Sequence, residues 1–131
     1  KGNDNSLYRW FFDQAVTNGL KFDVIGASFY PYWLNTNYTN IIADLENNLK
    51  DMVLRYNKEV MVVEVGGDFT QVQDTKNMLT AVLNAVKNVP NNKGLGVIYW
   101  EPEGEKSWSG YQLNAWQQDG KPSIALDAFK E

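Results

Sequence analysis

Three short apolar segments alternate with longer segments of helical periodicity, and this alternation is the strongest indication of the fold. The apolar segments are residues 22–29, 60–65 and 95–100, which recur at intervals of roughly 36 residues. Between them, apolar side chains repeat at helical spacing over residues 38–56 and 78–89, which predicts two amphipathic helices. Strands that alternate with helices form parallel sheets, so we predict an α/β fold of βα units with strands buried on both faces.

The two ends of the chain complete this order. A first helix is predicted over residues 7–15, with Ser6 as its N-cap and Gly19 after its end, and a last short helix begins at Pro122. No linker interrupts the pattern, so residues 1–131 are expected to form one domain. Two architectures use such units, an open doubly wound sheet and an arc of a closed eight-stranded barrel. Chain length favours the open sheet, whereas the polar and aromatic residues after each strand favour the barrel, whose active sites lie there.

Histidine and cysteine are both absent. Their absence excludes Ser/His/Asp and Cys/His catalysis, disulfides and thiolate metal sites, so a general acid or base acting near neutral pH is a carboxylate, Lys or Tyr. The net charge is −4 without a cluster of Lys and Arg, which predicts no nucleic acid and no membrane as a partner. Asp68, Asp74 and Asp119 lack the spacing of a calcium loop. We therefore expect a neutral ligand, no cofactor and no metal.

Glu64 is the most prominent candidate for a functional residue. It lies among Val62, Val63 and Val65 near the end of the second predicted strand. A carboxylate in a buried strand is unfavourable unless it is paired or hydrogen-bonded, so its presence requires an explanation. One interpretation is a catalytic role, and the other is a carboxylate satisfied by a neighbouring loop or helix cap.

Glu101 follows the third predicted strand and would lie at the same edge of the sheet as Glu64. Neighbouring strands are about 4.8 Å apart, and a retaining glycosidase needs two carboxyl groups about 5 to 5.5 Å apart. Glu64 and Glu101 could therefore be a catalytic pair. The alternative, which we favour, is that Glu101 binds a substrate hydroxyl or caps a loop.

Ser28 and Tyr30 project in the same direction at the end of the first predicted strand. The Tyr30 hydroxyl could hydrogen-bond Glu64 and hold it in position, or Tyr30 could be an ordinary aromatic residue at the edge. The chain also carries five Trp and seven Tyr. Aromatic faces stack on sugar rings, and the candidate platforms, each with simple packing as the alternative, are Trp33, Trp100 and Trp108.

Three motifs together resemble a known family. Residues 23–33 read DVIGASFYPYW, residues 62–64 read VVE and residues 96–102 read GVIYWEP. In this order and at these intervals they resemble the sixth, seventh and eighth strands of the glycoside hydrolase family 53 endo-β-1,4-galactanases. The resemblance covers nearly the whole chain. It implies that residues 1–131 are the C-terminal part, about strands 6 to 8, of a TIM (β/α)8 barrel.

The resemblance also implies roles for several residues. Glu64 would be the nucleophile of a retaining mechanism, Tyr30 the aromatic residue that orients it, and Trp100 the floor of the subsite for the attacked sugar. Glu101 then becomes a substrate-binding or structural carboxylate. The implied substrate is a galactan-type polysaccharide, and the implied location of the complete protein is outside the cell or at its surface or periplasm.

One part of the family pattern is missing. The general acid/base of the family is the Glu of an Asn-Glu pair at the end of strand four, and no such dipeptide occurs here. We therefore expect this chain to be inactive alone and to be stabilised by the missing half of the barrel or by self-association. Two alternatives remain: a sugar-binding module without catalysis, and an open α/β domain whose ligand is unrelated to sugars.

Overall fold

The computed structural model describes residues 1–104 and 109–130 and has the predicted order of helices and strands. The helices are α1 (Asn5–Thr17), α2 (Ile42–Tyr56) and α3 (Val72–Lys87), and the strands are β1 (Val24–Phe29), β2 (Glu59–Val65) and β3 (Gly94–Tyr99). Short 3-10 segments cover Tyr32–Leu34, Tyr38–Asn40, Pro90–Asn92 and Ile124–Lys130. The last of these replaces the helix predicted after Pro122. Among the described residues, no helix has the length and apolar character needed to span a bilayer.

The three strands form one parallel sheet in the order β1-β2-β3. Helix α1 contacts α2, and α2 contacts α3, so the three helices lie side by side on one face of the sheet. A doubly wound sheet would carry helices on both faces. Sequential strands with helices on one side are the arrangement of an arc cut from a (β/α)8 barrel.

The core lies between the sheet and the helices. Alternate residues of β1 and β2 point into it and are buried, and apolar residues of α2 and α3 meet them from the other side. The members without exposed surface include Ile25, Ala27, Phe29, Val60, Val62, Val65, Leu45, Leu49, Met52, Leu79 and Val82.

The second face of the sheet is open, and the prediction of strands buried on both faces is wrong for this chain. Val24 of β1 is 39% exposed, and Leu95 and Ile98 of β3 are 47% and 48% exposed. In a closed barrel this face is covered by side chains of the other strands. The apolar residues of the strands therefore occupy both faces of the sheet, and the described residues cover only one of these faces.

Helix α1 begins two residues earlier than predicted, and the assignment of Ser6 as its N-cap is wrong. The cap is Asp4, whose Oδ1 accepts the main-chain N–H of Leu7 at 3.1 Å. This hydrogen bond is the main reason that the pKa of Asp4 is lowered. Ser6 lies inside the first turn and donates its hydroxyl to Asp4.

The outer face of α1 is apolar and exposed to solvent. None of its residues is buried, and Leu7, Trp10 and Phe11 are 42%, 65% and 50% exposed. Side chains of this size are normally buried when a partner surface is present. This face is the second large apolar surface of the chain after the open face of the sheet.

Ion pairs join α1 to α2. The guanidinium of Arg9 lies 2.5 Å from Asp51, and that of Arg55 lies 2.7 Å from Asp13. Arg55 and then the hydroxyl of Tyr56 lower the pKa of Asp13 to about 2. These exposed pairs add to the packing of two partly buried aromatic residues of α1 against the core.

The edge of the sheet at β1 is partly covered by the chain itself. The main-chain N–H of Gly2 donates to the carbonyl of Ser28 at 2.7 Å, and the hydroxyl of Tyr8 donates to the carbonyl of Gly26 at 3.2 Å. Both acceptors belong to the edge strand β1. This edge of the sheet is therefore not left fully unpaired.

Candidate active site

Glu64 lies near the carboxyl end of β2 and is half-buried. The register of β1 against β2 shifts between Ala27 and Ser28, and this irregularity places Ser28 opposite Glu64. The hydroxyl of Tyr30, which directly follows β1, donates to Oε2 of Glu64 at 3.4 Å. Parallel strands end at the same edge of the sheet, so β1 and β2 bring Ser28, Tyr30 and Glu64 together.

A residue that the sequence did not single out, Tyr111, completes this cluster. It comes from the segment after β3, and its phenol lies close enough to Tyr30 and Glu64 to influence the pKa of Tyr30. Burial, followed by the contacts with Tyr111 and Glu64, raises the pKa of Tyr30 well above its usual value. Burial is also the main cause that raises the pKa of Tyr111, with Glu101 and Glu64 contributing. Both phenols therefore stay protonated near neutral pH and can donate hydrogen bonds.

The Gly66-Gly67 pair allows the loop after β2 to approach its neighbours closely. A Cβ on Gly66 would lie 2.9 Å from the carbonyl oxygen of Leu113, and one on Gly67 would lie 2.4 Å from Oγ1 of Thr75. Buried Tyr99 holds this corner, because its hydroxyl accepts the N–H of Gly67 and donates to the carbonyl of Leu113. Larger residues at 66 and 67 would push the loop away from Glu64.

We expect Gly67→Ala to lower the free energy of unfolding by about 1 to 3 kcal/mol, the usual effect of overpacking a well-packed position. The cause is the clash with Thr75, which is buried and 4% exposed. Urea unfolding followed by circular dichroism measures the change. The double variant Gly67→Ala/Thr75→Gly is the control, because it removes the clashing side chain and should show non-additive recovery. Additive losses would contradict the clash.

Two of the candidate sugar-stacking residues, Trp33 and Trp100, follow strands at the same edge of the sheet. Trp33 is 62% exposed and packs edge-on against Tyr32, with the ring centroids 4.9 Å apart. Tyr32 in turn donates to the side chain of Gln112 at 2.9 Å, which ties the segment after β1 to the segment after β3. Trp100 is 45% exposed, and its main-chain N–H donates to the carbonyl of Val65. Trp108 lies outside the described residues.

Glu101 has an unusual backbone conformation. Its φ is 46°, in the left-handed region, and the other non-glycine residues with positive φ in the described part of the chain are all Asn. Asn tolerates this region, whereas Glu does so at a cost of order 1–3 kcal/mol. Strain of this kind is concentrated at functional sites. Glu101 is exposed, and its carbonyl accepts the N–H of Gly104.

A groove of about 590 Å³ lies beside the cluster. Residues 31–38 after β1, residues 66–68 after β2 and the first turns of α3 contribute to its walls. Ser28, Tyr30 and Glu64 do not line it. Within residues 1–104 and 109–130, no group of three or more Asp and Glu side chains is arranged to hold a metal ion.

The sequence matches known proteins along almost its whole length. The family model described as glycosyl hydrolase family 53 matches residues 1–129. An uncharacterised protein of Niallia circulans is 30% identical over 142 residues, which cover 88% of this chain and 37% of that protein. The arabinogalactan endo-beta-1,4-galactanase of Cellvibrio japonicus is 34% identical over 122 residues, which cover 76% of this chain and 30% of that protein.

The fold matches as well. The solved GH53 catalytic domain of Ignisphaera aggregans superimposes with a TM-score of 0.83 at 21% identity, over 98% of this chain and 44% of that domain. The prediction of parallel βα units from a (β/α)8 barrel is therefore confirmed, and the open doubly wound alternative is wrong. The chain spans less than half the length of each of these three relatives.

Proposed function

Because this chain belongs to glycosyl hydrolase family 53, we propose that it is part of a retaining glycosidase whose nucleophile is Glu64. The supporting observation is the hydrogen bond from Tyr30 to Glu64 at the carboxyl end of adjacent parallel strands. Active sites of barrel enzymes lie at this end. The proposed substrate is a galactan or arabinogalactan with internal β-1,4-galactosidic bonds, by analogy with relatives that are named for that activity.

The proposed reaction has two steps. In the first, a carboxylate oxygen of Glu64 attacks the anomeric carbon and the bond to the leaving sugar oxygen breaks, while a general acid protonates that oxygen. In the second, water displaces Glu64 from the glycosyl-enzyme and gives up a proton to the same group, now acting as a base. Two displacements at one carbon return the β configuration.

The neighbouring residues supply binding and orientation in this proposal. Tyr30 fixes the carboxylate of Glu64, and Trp100 forms the floor under the attacked sugar. Trp33 and Trp108 stack on further sugar rings. Ser28 and Glu101 hydrogen-bond sugar hydroxyls. The strained backbone of Glu101 supports a functional position for this carboxylate, in agreement with the interpretation that it binds substrate.

The general acid/base in this proposal comes from outside the 131 residues. The family's Asn-Glu pair does not occur in this chain, so the chain alone would lack assistance to the leaving group, which is typically worth about 10²- to 10⁴-fold. We propose that the remaining barrel strands supply the acid and cover the open face of β1-β2-β3. For an enzyme that acts on a large polysaccharide, the corresponding location is secreted, cell-surface or periplasmic.

A covalent trap tests the nucleophile directly. The complete protein is incubated with a 2,4-dinitrophenyl 2-deoxy-2-fluoro-β-galactobioside. Its fluorine slows both formation and hydrolysis of the glycosyl-enzyme, and its good leaving group speeds the formation alone, so the intermediate accumulates. We expect one galactobiosyl adduct per molecule, located by peptide mass spectrometry on Glu64. An adduct on Glu101 would instead assign that carboxylate as the nucleophile. Retention of the protein on galactan with no adduct and no release of reducing ends would support the sugar-binding alternative.

A further inference from the structure

The groove beside the cluster extends toward the helices. Its walls come from the segments after β1 and β2 and from Asp74 and Met78 of α3, whereas Trp33 and Trp100 do not line it. Its volume of about 590 Å³ lies within the range of small-ligand sites, about 300–1,000 Å³. A sugar chain that lies across the strand ends, over Glu64, therefore passes beside this groove and leaves it available for another group.

Several side chains of the groove have polar atoms with no hydrogen-bond partner in the described part of the chain. The hydroxyl of half-buried Tyr38 and the carboxylate of Asp74 make no hydrogen bond there. Asn37 and Asp68 each use Oδ1 to accept from the threonine two positions on, which fixes the side chain and leaves Nδ2 of Asn37 and Oδ2 of Asp68 unused. Sugar hydroxyls donate and accept, so this mixture of donors and acceptors suits a sugar.

One aromatic wall of the groove is held in place. The hydroxyl of Tyr32 donates to Oε1 of Gln112 at 2.9 Å, and its ring packs edge-on against Trp33. The side chain is still 38% exposed. A ring fixed by two contacts loses little further conformational freedom when a sugar packs against it.

The groove carries negative charge. Asp68 and Asp74 line it, and no Lys or Arg among the described residues does. Two carboxylates without a neutralising cation repel an acidic sugar. The groove therefore suits a neutral sugar.

We propose that this groove binds a neutral sugar branch of the polysaccharide while the main chain lies over Glu64. Its position favours a branch, because the groove extends toward α3 and away from Trp33 and Trp100. The arabinose units of an arabinogalactan are neutral pentoses of this kind. The inference rests on the proposed function, and it adds selection for branched substrates at a place that touches none of the reacting atoms.

Binding to the complete protein carrying Glu64→Gln, which should not cleave the ligand, tests the groove. Isothermal titration compares galactotetraose with tetraoses that carry one arabinofuranosyl branch at each position in turn. We expect one branched ligand to bind about 10-fold more tightly than the linear one, the effect of one or two hydrogen bonds. Tyr38→Phe and Asp74→Ala should each reduce this preference about 2- to 10-fold. Neither side chain has a hydrogen bond to lose within the described residues, so both variants should fold.

Asp44→Ala is the matched control for Asp74→Ala. Both carboxylates are exposed and lie in the first turn of a helix, but Asp44 does not line the groove. It should leave the preference unchanged. Equal affinity for linear and branched ligands, or a preference that survives both groove variants, would overturn the proposal.

Two further outcomes are distinct. If the groove variants weakened linear and branched ligands equally, the groove would bind the main chain, and the proposal of a branch site would be wrong. If the wild-type protein bound both ligands and cleaved neither, the proposed hydrolase would be refuted, whereas the preference for the branched ligand would still decide the role of the groove.

Discussion

Glu64→Ala in the complete protein is expected to lower kcat on galactan by about 10⁴- to 10⁶-fold, the range found when the nucleophile of a covalent mechanism is removed. The loss would occur in kcat rather than KM, since Glu64 forms its bond to the sugar only as the reaction proceeds. Initial rates of reducing-end release measure it. Glu59→Ala is the matched control, because Glu59 is an exposed carboxylate at the opposite end of β2. It should retain activity.

Added azide should restore turnover of Glu64→Ala with an activated aryl β-galactoside. Azide fits the space left by the carboxylate and attacks the anomeric carbon from the same side, so the product is an α-galactosyl azide. Its configuration, read from the proton coupling at the anomeric carbon, identifies the face from which the natural nucleophile acts. Rescue of Glu101→Ala in its place, or near-normal activity of Glu64→Ala, would contradict the assignment.

The 131-residue chain alone is expected to be inactive on galactan and to associate, with itself or with the remaining barrel strands. The physical reason is the apolar surface formed by the outer face of α1 and the open face of the sheet, including Trp10, Val24 and Ile98. Partner binding at 100 times its Kd adds about 2.7 kcal/mol to the free energy of unfolding. Thermal unfolding with and without a fragment that carries the other strands measures this gain, and restored galactan cleavage would accompany it.

Two surface variants identify the apolar face responsible. Trp10→Lys should weaken association by roughly 10- to 100-fold, since burial of a large apolar side chain is worth about 1.5–3 kcal/mol. Leu54→Lys is the control, because Leu54 is also exposed, at 70%, but lies on α2, outside the two apolar faces. Sedimentation velocity compares them. A homogeneous monomer of ordinary stability, unaffected by Trp10→Lys, would argue that neither face binds a partner.

Local sequence patterns predicted the middles of the elements better than their ends. The segment 60–65 corresponds to Glu59–Val65, and the segment 95–100 corresponds to Gly94–Tyr99. Helix α3 was predicted from its apolar repeat beginning at Met78, but it starts at Val72, because its first turns are mostly polar and carry little of that repeat. The predicted second helix is divided near Ile41, whose φ of −131° interrupts helical geometry between Tyr38–Asn40 and α2.

The sequence by itself determined the repeating βα order and the presence of Glu64 and Tyr30 at neighbouring strand ends. Both follow from side-chain periodicity, which is a local property of the chain. The tertiary structure alone decided the rest of the site. The register shift that sets Ser28 opposite Glu64 depends on how two strands pair. The ring of Tyr111 is placed near this edge by the path of a long segment and by the space left at Gly66 and Gly104, contacts between distant residues that no local pattern encodes.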